Sequence, residues 1–340
     1  MSYTELHCRS EYVAMRDGIR LAVSTWLGKG NEKNTDKRPA VVVTTRYWRA
    51  MAFKQDKPEF QPYYSYAAFL WARGYVFVVA DARGSGASFG TRESELSPAE
   101  VADIGEIIDW AAEQDWCDGR VATIGTSYTA NSTLCSLATV SLLRRAEGSS
   151  ALKLGVCRAP DFDVYRHLLA PGGVINISFL HIWGAMTAAQ DANDAKGMLE
   201  NGWTVPQGGA ENLLGVRPVD DDTGGVLLAA AIAEHKTNFN WNVTSMGDKL
   251  DFIDTALLPD SCSSSDSALP KQDTETDFAA VVRPYFNSNP YSHQDEIEQG
   301  NLPIVIRCGW HDAATQLGAL TLFTSFSNPM RVIIGPWNHT

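Results

Sequence analysis

A mainly parallel α/β sheet, opened by an antiparallel hairpin and interrupted by one long insertion, is the fold that these 340 residues predict. Three observations carry it. Strands alternate with helices at both ends of the chain, which favours parallel pairing through helical crossovers. Several strands are short continuous apolar runs, as strands buried on both faces are. Between residues 162 and 298 the alternation lapses, and an insertion there sits over the carboxyl ends of the strands.

EYVAMRDGIRLAVSTWLG places two alternating strands around Arg16-Asp17-Gly18, a hairpin signal. RPAVVVTTRY (38–47) is a buried strand, and YYSYAAFLWARG (63–74) has helical spacing with a glycine stop. YVFVVADARGSG (75–86) is a second buried strand that enters a glycine-rich loop. SPAEVADIGEIIDWAAEQ (97–114) is a helix, with Ser97 as cap, Pro98 in the first turn and Glu100 at the capping-box position. RVATIGTS is a strand, YTANSTLCSLATVSLLRRA a helix and LKLGVCRAPD (152–161) a strand. Within the insertion, GGVLLAAAIAEHKTN (224–238) is helical, and PDSCSSSDSALPKQDTETD (259–277) is a polar, mobile loop. LPIVIRCGWHD (302–312), a helix through ATQLGALTLFTSF, and MRVIIGPWNH (330–339) complete the sheet. The expected division is a core at 1–161, a helical cap at 162–298, and the last core strands at 299–340.

Composition narrows the function. A net charge of −12 argues against a nucleic-acid partner, which demands clustered Lys and Arg. The first residues have no apolar run of signal-peptide length, and no later stretch is long enough to span a bilayer, so a cytoplasmic location is expected. The six cysteines (Cys8, Cys117, Cys135, Cys157, Cys262, Cys308) show no Cys-x-x-Cys spacing and read as reduced thiols. No metal or organic cofactor is called for.

Ser127 lies between a strand and a helix, where a nucleophile elbow belongs and where a helix N-cap also belongs. The tight elbow demands small residues two positions before and after the serine. Gly125 satisfies this and Thr129 does not, so the short G-x-S-x-G pattern is not met. A serine hydroxyl needs a histidine to take its proton and a carboxylate to orient that histidine. Asp312 and His339 each end a strand pattern, in the order Ser, acid, His, with Asp161 as the second choice of acid. His311 adjoins Asp312, so one of the two points away. His235, near the end of a helix, is placed where the dipole favours a cation. For an oxyanion, the Tyr128 N–H is one donor by position, and Tyr47, in the loop after the third strand, either offers its phenol or packs at the loop base. Asp81 and Arg83 form a structural turn with a salt bridge beneath the site. Asp220-Asp221-Asp222 either caps the following helix or forms a carboxylate cluster for a substrate ammonium.

TTRYWRA, DARGSGASFG, DWAAEQDWCDGRVATIGTSYTA, RCGWHD and GPWNH, in that order, resemble the CocE/NonD family of α/β-hydrolases over nearly the whole chain. The family's elbow is G-x-S-Y with a small residue two positions on, which Ala130 supplies. The resemblance implies the α/β-hydrolase fold, Ser127 as nucleophile, Asp312 as acid, His339 as base, and Tyr47 hydroxyl with Tyr128 N–H as oxyanion hole. Trp48, Trp183 and Trp310 are the expected substrate contacts. The implied function is a serine hydrolase of small-molecule esters or amides, acting without nucleic acid, membrane or cofactor. The alternatives are an α-amino-selective peptidase, acylase or amino acid ester hydrolase of the same family, and a catalytically degenerate binding protein. Family members continue past the histidine into a jelly-roll-like domain that these residues lack. Residues 1–340 are therefore expected to be part of a longer polypeptide, poorly soluble or weakly active alone.

Overall fold

The computed structural model of the protein describes residues 6–28, 37–142, 150–174, 176–205, 209–239, 289–313 and 315–339. The polar loop expected over 259–277, with Cys262, lies outside the described residues. The opening hairpin forms as its alternation requires. Strands β1 (Leu6–Ala14) and β2 (Arg20–Gly28) pair antiparallel around a turn in which Gly18 takes φ 83°. Next come β3 (Arg38–Thr45), a short β4 (Met51–Phe53), α1 (Tyr64–Trp71), β5 (Val76–Asp81), α2 (Pro98–Glu113), β6 (Cys117–Thr126), α3 (Tyr128–Leu142) and β7 (Leu152–Arg158).

After β7 the chain leaves the sheet for α4 (Ile177–Asp191), α5 (Ala195–Glu200), β8 (Leu213–Val216) and α6 (Val226–Glu234). Strand β8 pairs antiparallel with β4 in a separate two-stranded ribbon. The sheet resumes through α7 (Gln294–Gly300), β9 (Ile304–Gly309), α8 (Thr315–Ser325) and β10 (Met330–Gly335). Residue 298, the expected boundary, falls inside α7, whose Ile297 is buried in the main core.

The eight-stranded order is β1-β2-β5-β3-β6-β7-β9-β10, with the pairs from β5 to β10 parallel. Residue alternation decides which layer each strand feeds. Val76, Val78 and Ala80 join Val42, Ile107 and Leu134 in the core beneath α2 and α3. Phe77 and Val79 join Val41, Val43 and Ala67 in the core beneath α1. From β3 the chain steps to β5 on one side and then to β6 on the other. The order therefore reverses between β3 and β6, and a crevice opens at their carboxyl ends. Among the described residues no helix is long and apolar enough to cross a membrane.

Several side chains have roles that local sequence could not assign. Ser97 caps α2 as expected, its hydroxyl accepting the Glu100 N–H at 3.3 Å. The Glu100 carboxylate accepts instead from the Leu96 N–H at 2.9 Å and from the Tyr128 hydroxyl, because it is drawn into the core. Asp222 accepts the Leu227 and Leu228 N–H groups at the start of α6, and Asp220 ties that region to Ser10 of β1. His235 does end α6, but its side chain turns inward rather than toward the helix terminus. Its ring is buried with Nε2 2.8 Å from the Ser88 carbonyl, and burial lowers its pKa.

Arg83 pairs with Asp103 and Asp17, each at 2.7 Å, rather than with Asp81. Asp81 organises two loops at once: its carboxylate accepts the Arg49 N–H at 2.5 Å and the Ala87 N–H at 2.9 Å. The Arg49 guanidinium lies 3.5 Å away and is itself buried. Gly86 is required beside it, since φ is 57° and a Cβ there would lie 2.2 Å from the Asp81 carboxyl carbon. Asp81→Ala would leave the Arg49 charge buried without its counter-ion. Urea denaturation should show a loss of about 3–5 kcal/mol in unfolding free energy; a loss below about 1 kcal/mol would assign the turn's stability to its backbone alone.

Candidate active site

Ser127 joins β6 to α3 with φ 60°, a left-handed conformation that costs an L-residue energy unless its surroundings impose it. The surroundings do impose it. Its N–H donates to the Arg158 carbonyl of β7 at 3.0 Å, and its carbonyl accepts the Ala130 and Asn131 N–H groups at 2.8 and 3.0 Å. At Gly125 a Cβ would lie 2.0 Å from the Thr129 carbonyl oxygen, so only glycine fits. Thr129, the residue that breaks the short elbow pattern, braces the turn: its hydroxyl accepts the Thr126 N–H at 2.7 Å and donates to the Thr126 carbonyl at 2.8 Å. Among the described residues, none of the first-turn N–H groups donates to the Ser127 hydroxyl, so side-chain N-capping is not its role.

Asp312 and His339 come together across β9 and β10. A carboxylate oxygen of the buried Asp312 lies 2.7 Å from His339 Nδ1, and its other oxygen accepts the Thr315 hydroxyl at 3.1 Å. The histidine is 47% exposed. Two hydrogen bonds stitch the loops that carry the pair, Trp310 N–H to the Gly335 carbonyl and His311 N–H to the Trp337 carbonyl, at 2.9 and 3.0 Å. Gly309 permits this closeness, because a Cβ there would lie 2.0 Å from the Trp337 carbonyl oxygen. His311 is the exposed member of the His311-Asp312 pair. Asp161 follows β7 and is buried, its N–H donating to Asn131 Oδ1 at 2.8 Å. It makes no hydrogen bond to His339. Burial and the Asp312 charge push its carboxyl up to about 7.

Ser127, Asp161, Asp312 and His339 line one cavity of about 710 Å³, together with Tyr47 and Trp183. Tyr47 sits just past β3, its N–H donating to Thr45 Oγ1 at 3.0 Å. Its hydroxyl accepts the Trp183 indole N–H at 3.1 Å, and burial pushes the phenol up to about 12. The ring packs edge-on to Tyr128 with centroids 5.7 Å apart. Tyr128 turns its own side chain into the core, where the hydroxyl donates to Glu100, and it is not among the residues that line the cavity. Burial and the neighbouring Glu95 push the Glu100 carboxyl up to about 7.

Two expected substrate contacts lie elsewhere. Trp48 is fully buried, with φ 62° and its indole N–H on the Gln190 carbonyl, so a substrate has no access to it. Trp310 is 54% exposed and outside the cavity lining. Sequence reasoning also passed over a buried ionic cluster behind Tyr47. Arg46 pairs with Glu95 at 3.3 Å and Asp191 at 3.1 Å, while Arg92 pairs with Asp191 at 2.6 Å and Glu95 at 3.5 Å. Arg92 and Glu95 are three positions apart, but Arg46 and Asp191 lie far from them in the chain, so no local spacing marks the four as a group.

A family model described as X-Pro dipeptidyl-peptidase (S15 family) matches residues 17–340. A candidate serine esterase of Mycobacterium bovis is 30% identical over 350 aligned positions, covering 99% of this chain and 52% of that protein. Cocaine esterase of Rhodococcus is 22% identical over 343 positions, covering 96% of this chain and 48% of that one. The chain thus spans about half the length of the curated relatives it matches. A CocE/NonD family hydrolase from Staphylococcus aureus shares the fold with a TM-score of 0.58 at 16% identity, over 97% of this chain and 46% of that chain. The strained serine between strand and helix, the Asp–His pair at the next strand ends, and a match over nearly the whole chain lead to one conclusion: this chain belongs to the family described as X-Pro dipeptidyl-peptidase (S15 family) and shares the fold of a CocE/NonD family hydrolase.

Proposed function

We propose that the chain forms the acyl-transfer centre of a serine hydrolase that cleaves carboxylic esters through an acyl-enzyme. The observation that carries this reading is the Asp312–His339 hydrogen bond on the cavity that Ser127 also lines. With Nδ1 held by the carboxylate, His339 presents Nε2 as the base. It takes the Ser127 proton as the hydroxyl attacks the carbonyl carbon, then gives that proton to the leaving alcohol. Water, deprotonated by the same nitrogen, releases the acid and restores the serine. The Tyr47 hydroxyl and Tyr128 N–H receive the negative charge that develops on the carbonyl oxygen. The described elements α4 to α6, entering between β7 and α7, act as the cap that shapes the acyl and alcohol subsites.

A second reading concerns selectivity. One oxygen of Asp161 is buried without a hydrogen-bond partner, and the residue lines the cavity. A substrate α-ammonium would supply both the missing donor and the missing charge. This favours α-amino esters or amides within the same mechanism.

Ser127→Ala should abolish labelling by a fluorophosphonate probe and leave only the roughly 10³–10⁴-fold catalysis over water that binding and the oxyanion hole provide. Near-normal ester turnover in that variant would discard the nucleophile assignment. Tyr47→Phe should lower kcat by about 10²–10³ with little change in KM, since its bond forms mainly in the transition state. An unchanged kcat returns Tyr47 to a packing role. In steady-state assays of matched esters, Asp161→Asn should raise KM for the α-amino ester at least about tenfold more than for the deaminated one. Equal effects on the two esters would remove Asp161 from substrate recognition.

A further inference from the structure

We infer that Trp183 is a positioning residue for the oxyanion site: by occupying a lone pair of the Tyr47 hydroxyl, its indole N–H turns the phenolic proton toward the carbonyl oxygen of the substrate. The inference rests on the reading of Tyr47 as an oxyanion donor and goes beyond it by giving the reason that hydroxyl donates.

The donor inventory fixes the direction. An indole nitrogen can only donate, whereas a phenol has one proton and two lone pairs. At 3.1 Å, the bond between them therefore runs from Trp183 to Tyr47, and the phenolic proton is left for another acceptor. Among the described residues no other hydrogen bond engages this hydroxyl, and the cavity shared with Ser127 lies beside it. Burial keeps the phenol protonated well above neutrality, so it remains a donor at working pH. Accepting one hydrogen bond also polarises the O–H and strengthens the bond it gives.

The surrounding structure holds both partners in place. Trp183 lies on α4, where the Phe179 ring one turn earlier stacks on it with centroids 5.8 Å apart at 14°. The Arg46 guanidinium, next to Tyr47 in the chain, lies 5.2 Å from the Trp183 ring and 5.9 Å from the Tyr47 ring. Arg46 is anchored by Asp191, the last residue of that same helix, and Asp191 is anchored in turn by Arg92 and Asn238. One buried ionic cluster therefore fixes the loop that carries Tyr47 to the helix that carries Trp183. A tryptophan held for its apolar face alone would have no need of an N–H aimed at this oxygen.

The test is a double-mutant cycle on the full chain, with Trp183→Phe, Tyr47→Phe and the double variant assayed on one ester. A further variant carries benzothienylalanine at position 183, which keeps the bicyclic shape and puts sulfur in place of N–H. Both replacements at 183 should lower kcat roughly 3- to 10-fold, the worth of one neutral hydrogen bond. They should weaken inhibition by an alkylboronic acid, which forms a tetrahedral adduct on the serine, by a similar factor. In the Tyr47→Phe background the same replacements should change kcat less than about twofold, because the hydroxyl they act through is gone. Equal losses in both backgrounds, or a benzothienylalanine variant with normal kcat, would overturn the inference and leave Trp183 as a wall of the cavity. A normal kcat for Tyr47→Phe would instead overturn the oxyanion reading of Tyr47, and this inference with it.

Discussion

Ser127 keeps its left-handed backbone only because the chain can close around it at Gly125, where the Thr129 carbonyl occupies the space a side chain would need. That contact sets the angle at which α3 leaves β6. The helix then covers the sheet with Leu134 and Leu137, while the serine stands at the mouth of the crevice between β3 and β6. Everything else in the site is arranged relative to that point. The loop after β3 brings Tyr47 to one side, and the loops after β9 and β10 bring Asp312 and His339 to the other. Strain at the serine and packing of the core are two ends of one constraint: relaxing the turn would swing the helix off the sheet.

Arg46, Arg92, Glu95 and Glu100 are all buried behind the site, and the costs are uneven. For Arg92, burial opposes the positive charge, yet the attraction of Asp191 and Glu95 prevails and holds its pKa up. For Glu100, burial and the charge of Glu95 act together, so the carboxyl sits near 7. Buried ion pairs seldom add net stability over apolar replacements, and their best-attested use is fixing one arrangement among several. Here the cluster joins segments that no β-ladder connects: the loop after β3, the glycine-rich loop after β5, and the end of α4. Strand pairing cannot align loops, and directional bonds to arginine can.

Legibility in the sequence followed the range of the interactions. The hairpin, the buried strands at 38–47 and 75–86 and the capped helix at 97–114 are set by local alternation and by Ser97, and all were readable. So were Ser127, Asp312 and His339 as residues at strand ends, because elbow chemistry and strand order are near-local patterns. Among those that misled, Trp48 and His235 were governed by distant partners and Thr129 by a near one. Thr129 violates a rule about side-chain size, yet its hydroxyl bonds the backbone the rule protects. Trp48 sits in a loop beside the site, but the carbonyl that accepts its indole N–H comes from 142 positions further along the chain, at Gln190. His235 obeys the helix dipole in one dimension and is buried against Ser88 in three. The Arg46–Glu95–Asp191–Arg92 cluster left no local periodicity to detect.

The placement of β10 has a consequence for how the molecule fails. Among the described residues it is an edge strand, paired only with β9, and most of its side chains are no more than half-buried. Ser127 follows β6 in the middle of the sheet, while His339 follows that edge strand. Edge elements open locally at a lower free energy than central ones. Release of β10 would carry His339 away from Asp312 while the elbow, its helix and the cavity floor stayed formed. Such a state would hold its secondary structure and the elbow at Ser127, with His339 no longer held by Asp312. Under the proposed function, mild heat or denaturant would part His339 from Asp312 before dissolving the core, so loss of activity and loss of the fold would be separate events.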